Sequence, residues 1–100
     1  MNRLRVLVPW DSREAICVTE AASVVGCSLV TVRTWAALHG LGRRVGGRWM
    51  LSRVALTMYL DGDAKALAAY LQGDRESELV IAYFERCGLA PVMSPAQVTG

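Results

Sequence analysis

The stretch of sequence that decides the fold runs from residue 28 to residue 49 and reads SLVTVRTWAALHGLGRRVGGRW. Ser28 is a favourable helix N-cap, because its side-chain oxygen can accept a hydrogen bond from an unpaired N–H of the first turn. Apolar residues then recur at helical spacing and predict a helix over residues 29–38. Gly40 is typical of a helix end, and Gly46-Gly47 of a two-residue hairpin turn. The stretch therefore predicts a helix followed by a β-hairpin.

The predicted helix has two different faces. Helical spacing directs one set of apolar side chains towards the core, namely Leu29, Val32, Trp35, Ala36 and Leu38. The other face presents Val30, Thr31, Arg33, Thr34 and Ala37. In the hairpin, a two-residue turn pairs Val45 with Arg48, Arg44 with Trp49 and Arg43 with Met50. This pairing puts Arg48 at the tip and two further arginines on the incoming strand.

Shorter elements are predicted on both sides of this stretch. Thr19 is a good N-cap for a short apolar helix that Gly26 ends. Two short helices joined by a tight glycine turn form a helix-turn-helix, whose second helix enters the major groove of DNA by its N-terminal end. Ser52 is predicted to cap a third helix. Trp49, Leu51 and Leu56 are expected to join Val32 and Trp35 in the core.

The charge is segregated along the chain. The formal net charge is only +2 on 100 residues. Residues 21–60 nevertheless contain five arginines and no acidic residue, whereas residues 61–100 carry a net charge of −3. Ten of the 11 basic residues are arginines, which bind phosphate and guanine edges through two hydrogen bonds. A basic segment of this kind is either a solvated face or a nucleic-acid-binding surface.

The residues quoted so far resemble excisionase-type winged helix-turn-helix domains, which overlap in fold with the DNA-binding heads of mercury-resistance (MerR) type regulators. The resemblance covers residues 18–61 and is carried by residues 19–22, 26–35, 45–49, 53–56 and 59–60. It implies a mainly α fold with a small β-hairpin, here a winged helix-turn-helix followed by a helical extension. It also implies a recombination directionality factor, a non-enzymatic protein that binds and bends attachment-site DNA and promotes excision by a tyrosine recombinase.

The resemblance also implies which residues contact DNA. Thr31 and Arg33 match family positions that contact the backbone and base edges, and Arg48 matches the wing-tip arginine placed in the minor groove. With the reasoning from charge and spacing, the expected recognition-helix residues are Ser28, Val30, Thr31, Arg33 and Thr34. The expected wing residues are Arg43, Arg44, Gly46, Gly47 and Arg48, and Arg53 is a possible phosphate contact.

The two ends of the chain lie outside this resemblance. Residues 1–17 contain Leu4, Val6 and Val8 in alternation and are predicted to form a short strand or an arm. Residues 62–89 are predicted to form a helical extension with a helix over residues 64–72 and another, capped by Asp74, that reaches Cys87. This extension either mediates self-association along DNA or completes a small core. Residues 90–100 contain two prolines and are predicted to be a flexible tail.

Other functions are disfavoured by the composition. Three widely spaced cysteines and one histidine make no zinc pattern and no catalytic constellation, so neither a metal, a cofactor nor an enzyme is expected. No apolar run approaches the roughly 20 residues of a membrane span, and a cytoplasmic, nucleoid-associated protein is expected. Two alternatives to an excisionase remain open: a small transcriptional regulator with the same DNA-binding domain, and an assembly protein like a phage terminase small subunit.

Overall fold

The computed structural model describes residues 6–7 and 11–89. Within them the chain forms five helices and three strands, in the order β1 (Ala15–Cys17), α1 (Val18–Val25), α2 (Leu29–His39), β2 (Gly42–Val45), β3 (Arg48–Ser52), α3 (Arg53–Asp61), α4 (Ala64–Leu71) and α5 (Glu78–Arg86). The prediction of a mainly helical fold with a small β-hairpin is confirmed. The predicted tail, residues 90–100, lies outside the described residues.

The three strands form one antiparallel sheet in the order β1-β3-β2, with β3 in the centre. Pairing of β2 with β3 follows the predicted register, Val45 with Arg48 and Arg44 with Trp49. Gly46 and Gly47 both have positive φ, 60° and 83°. A two-residue hairpin turn with two left-handed residues strongly favours glycine, and its twist matches that of the strands. The register is therefore set locally by the turn.

The third strand was not predicted where it occurs. Alternation over residues 4–8 suggested a strand there, but only Val6 and Leu7 of that stretch are described, and they form a turn with both side chains buried. The strand is instead β1, which pairs with β3 through Ile16 and Leu51. Three residues are too few for a periodic pattern to reveal a strand.

The predicted helix caps are partly correct. Ser28 caps α2 and Ser52 caps α3, each side chain accepting the N–H three residues on. Thr19 is not the cap of α1. Since β1 runs directly into this helix, the extended residue before it is Cys17, whose thiol accepts the N–H of Glu20 at 3.5 Å.

The predicted cap of the last helix also needs correction. Asp74 does not cap α5, because its carboxylate accepts the N–H groups of Glu76 and Ser77 in the preceding loop. Ser77 is the residue that caps α5. The prediction identified the right loop and placed the helix start three residues too early.

One hydrophobic core runs through the described residues. Of the predicted core residues, Val32, Leu51 and Leu56 are buried, whereas Trp35 and Trp49 are half-buried against them. The same cluster includes Ala66 and Tyr70 of α4 and residues 80, 83 and 84 of α5. The core thus crosses the boundary predicted between residues 61 and 62. This favours the interpretation that the extension completes the core, while self-association remains a prediction.

No single helix of the described residues combines the length and apolar composition needed to cross a membrane. The pair α1 and α2 meets these criteria only when the two are taken together, and they are bent by 106° at the turn between them.

Candidate nucleic-acid interface

The corner between α1 and α2 is built from local hydrogen bonds. Gly26 has a φ of 74°, and its N–H donates to Ala22 O at 2.8 Å. The N–H of Cys27 donates to the same carbonyl at 3.1 Å. These two bonds satisfy the end of α1 and allow Ser28 to start the next helix at once. The 106° bend is the consequence, and it leaves the two helices crossing at a steep angle.

One face of α2 is exposed along its length. Val30, Arg33, Thr34 and Ala37 are exposed and recur at helical spacing, whereas Val32 and Ala36 on the other side are buried. The exposure predicted for Val30, Arg33, Thr34 and Ala37 is confirmed, whereas Thr31, predicted on the same face, is half-buried.

Two apolar residues of α2 were assigned to the wrong environment. Leu29 and Leu38 were predicted to be in the core, but they are 44% and 73% exposed. The buried stripe of α2 is therefore narrower than predicted and consists of Val32 and Ala36.

Ser28 and Thr31 contribute mainly to the start of α2. The Ser28 hydroxyl accepts the Thr31 N–H at 3.1 Å and donates to Thr31 Oγ1 at 3.0 Å. Thr31 is half-buried, and both hydroxyls already have partners. Within the predicted recognition set, these two residues therefore fix the helix terminus, while Val30, Arg33 and Thr34 form its free surface.

The tip of the hairpin is exposed and basic. Arg48 is exposed directly after the turn, and Arg44 is exposed one residue before Val45. The Arg44 guanidinium donates to Gly47 O at 3.2 Å, which holds it over the turn. In the described part of the chain, no carboxylate lies within 4 Å of Arg33, Arg44 or Arg48. These three guanidinium groups remain available to an external anion.

The other two arginines of this segment are engaged within the protein. Arg43 is half-buried and donates to Leu7 O at 3.1 Å, which ties the hairpin to the N-terminal segment. Its Nε atom is buried without a hydrogen-bond partner among the described residues. Arg53 lies 3.7 Å from Glu20, in a partly exposed pair. Sequence reasoning missed both contacts because the partners are more than 30 residues away.

Acidic groups at the end of α3 and in the extension also have internal partners. Asp61 accepts from Arg86 at 2.5 Å and from the Tyr83 hydroxyl at 2.8 Å, and these bonds lower the pKa of Asp61. Desolvation and the two nearby carboxylates raise the pKa of Tyr83 to about 12. Asp63 caps α4. The remaining exposed acids of the extension are Glu76, Glu78 and Glu85.

A buried polar cluster lies beneath the hairpin and was not predicted. Glu14 is only 4% exposed, and Ser52 and Tyr70 are fully buried. The Ser52 hydroxyl donates to Glu14 Oε1 at 2.8 Å, and the Tyr70 hydroxyl bonds the same oxygen. The two hydroxyls lie 2.7 Å apart. Desolvation raises the pKa of Glu14 and is partly offset by Ser52 and Arg75. The sequence around Glu14 does not distinguish it from an acidic residue at the surface, so the cluster could not be predicted.

No cluster of three or more histidine, cysteine or acidic residues suitable for a metal ion occurs among residues 6–7 and 11–89. Comparison with family models, with curated proteins and with solved structures finds no match to this chain. Any inference about function therefore rests on the chemistry of the exposed arginines and on the resemblance of residues 18–61.

Proposed function

We propose that this protein binds double-stranded DNA as a winged helix-turn-helix, with α2 in the major groove and the β2–β3 hairpin as the wing. The observation that carries the proposal is the set of three exposed arginines, Arg33, Arg44 and Arg48, on the helix and hairpin of a segment without acidic residues. The exposed Val30 and Thr34 supply an apolar contact for a thymine methyl and a hydroxyl for a base or phosphate. Arginine at a hairpin tip suits the negative potential of a narrow minor groove.

The biological role that we propose is that of an excisionase, which bends attachment-site DNA and directs a tyrosine recombinase towards excision from a mobile genetic element. This role rests on the resemblance of residues 18–61. A single module of this size buries about 600–1,000 Å² on DNA, so one copy binds with modest specificity. Several copies side by side, or the recombinase on the same DNA, would supply the remaining specificity. Such a protein would reside in the cytoplasm with the nucleoid.

A transcriptional regulator with the same domain is the second candidate. Regulators of the mercury-resistance type usually add a long coiled-coil dimerisation helix or an effector domain. The described extension instead consists of α4 and α5, with eight and nine residues, and both pack on the same core. The two roles are separated by an excision assay with the recombinase of the same element and by a promoter reporter, with footprinting on the attachment region to locate the sites.

DNA binding itself is tested by its salt dependence. Three phosphate contacts predict that log K falls with log salt with a slope of about −2.7, at about −0.9 per contact. Fluorescence anisotropy on a labelled duplex at several salt concentrations measures this slope. A slope near zero would exclude the proposed arginine surface, and a slope far steeper than predicted would show that Arg43 or Arg53 leaves its internal partner.

Replacing the wing-tip arginine is expected to weaken binding to all sequences alike. Arg48→Gln should reduce the magnitude of the salt slope by about 0.9, because one phosphate contact is lost. Lys65→Gln is the matched control, since it removes a positive charge that is also exposed, from α4 and away from the hairpin. Equal slopes for the two variants would refute the wing assignment, because net charge alone would then explain the change.

A further inference from the structure

We propose that Glu14, Ser52 and Tyr70 form a latch through which α4, in the C-terminal extension, fixes the base of the β2–β3 hairpin. Ser52, Glu14 and Tyr70 act in it as positioning residues, since none of them belongs to the exposed arginine surface. The importance of the latch for DNA binding rests on the proposed function. Its effect on the hairpin is independent of that function and can be measured on the free protein.

Ser52 lies where the hairpin meets α3. It is the last residue of β3, and its hydroxyl accepts the Ala55 N–H at 3.1 Å as the cap of α3. Its backbone N–H donates to Leu41 O at 2.8 Å, next to the start of β2. Any shift of Ser52 would therefore move the base of the hairpin and the start of α3 together.

Glu14 connects this junction to β1. Its backbone carbonyl accepts the Arg53 N–H at 2.7 Å, and its carboxylate accepts the Ser52 hydroxyl. Ala15, the next residue, pairs with Ser52 in the sheet. The backbone contacts of Glu14 and Ala15 therefore hold the Glu14 carboxylate at this junction. A buried carboxylate needs hydrogen-bond donors, because burying it without them would be costly.

The extension supplies one of these donors. Tyr70 projects from α4, and its hydroxyl bonds Glu14 and Ser52. The guanidinium of Arg75 lies 3.9 Å from the centroid of the Tyr70 ring and donates to Tyr70 O at 2.8 Å, while Phe84 of α5 packs at 6.1 Å. The hydroxyl is therefore positioned by both α4 and α5. These contacts transmit any displacement of the extension to the hairpin base.

The charges around Glu14 predict how the latch responds to pH. Burial raises its pKa above 4.5, Arg75 and the Ser52 hydroxyl oppose this change, and Asp11 adds to it. A raised pKa means that the folded protein binds this proton more tightly than the unfolded chain does. The contribution of Glu14 to stability is therefore complete below pH 4.5 and is lost as the pH rises through the folded-state value. In urea unfolding from pH 4 to pH 8, the wild-type protein should lose stability over that range relative to Glu14→Gln.

The decisive experiment compares Tyr70→Phe with Tyr83→Phe in the full chain. Each variant loses one hydroxyl that bonds a carboxylate, but the Tyr70 hydroxyl is buried in the latch, whereas the part-buried Tyr83 hydroxyl bonds Asp61 and Asp63 outside it. Amide hydrogen exchange measured by NMR reports the hairpin and α1 separately. Tyr70→Phe should speed exchange of the hairpin amides about tenfold more than that of the α1 amides, the effect of one lost hydrogen bond to a charged group. Tyr83→Phe should show no such difference.

The same variants are then titrated with duplex DNA. Tyr70→Phe should weaken binding by a factor of about two at most, with an unchanged salt slope, because a hairpin that opens tenfold more often is still closed in most molecules and the phosphate contacts remain. Equal acceleration of hairpin and α1 amides in Tyr70→Phe, or the same hairpin effect in Tyr83→Phe, would overturn the latch.

Two further outcomes are informative. If Tyr70→Phe does not fold, the same amide-exchange comparison is made with Glu14→Ala, which removes the acceptor of both hydroxyls. Faster exchange of the hairpin amides than of the α1 amides supports the latch, and equal acceleration of the two overturns it. If wild-type protein fails to bind DNA while the hairpin amides respond as predicted, the proposed function is refuted and the latch is retained.

Discussion

A fragment that ends at residue 61 is expected to remain unfolded, although it contains every predicted DNA-binding residue. It lacks Tyr70 and the α5 residues Val80 and Phe84, all of them part of the core. Loss of one such large side chain costs about 2–5 kcal/mol, and Glu14 would in addition lose a hydrogen-bond donor. For the three side chains together this is about 6–15 kcal/mol, which is as large as the total stability of about 5–15 kcal/mol that is usual for a domain. Circular dichroism and urea titration of the fragment would show no cooperative transition.

The matched control is a chain that ends at Leu89. It retains every residue from 11 to 89 that the structure describes, including the buried Leu89 itself. We expect it to unfold cooperatively with a stability close to that of the full chain. A folded fragment of residues 1–61 that binds DNA would contradict the prediction. It would instead support the boundary at residue 61 that the sequence indicates.

The features that could be predicted from the sequence depend on local chemistry. The Ser28 and Ser52 caps, the register of the hairpin and the exposed face of α2 each follow from residues within about one helical turn or one β-turn of each other. The start of α1 at Val18 was missed, because a cysteine cap after a three-residue strand has no clear sequence signature. The same local rules placed the start of the last helix at Asp74 and not at Ser77, because both residue types favour turns and helix starts and they lie in the same loop.

The features that could not be predicted depend on contacts between distant parts of the chain. Arg43 belonged to the expected DNA-contacting set, and only the fold shows that Leu7 accepts its hydrogen bond. Glu14 and Tyr70 are separated by 56 residues, and neither stands out in the sequence. The charge difference between residues 21–60 and 61–100 predicts a basic segment. It does not predict how many of the arginines can bind an external anion, because that number depends on which of them bond other parts of the folded chain.

The last prediction concerns a glycine that the sequence does not distinguish from its neighbours. Gly42→Ala is expected to destabilise the protein by about 3 kcal/mol, towards the upper end of the cost of overpacking. A Cβ atom at residue 42 would lie 2.3 Å from Met50 O and 2.9 Å from Leu51 Cα. Both are backbone atoms of β3, so no side-chain rotation can relieve the overlap. The central strand would have to move, with Arg48 at one end and Ser52 at the other.

Gly46→Ala separates this steric effect from the loss of a glycine in general. A Cβ atom at Gly46 would meet nothing within 4 Å, and its cost arises only from the φ of 60°. That conformation costs about 1–2 kcal/mol for a residue with a side chain. Urea unfolding should therefore rank Gly42→Ala as the more destabilising variant. Equal losses, or a greater loss for Gly46→Ala, would mean that β2 and β3 are not as closely paired at Gly42 as the structure shows. Close pairing there is what allows the junction at Ser52 to determine the position of the hairpin.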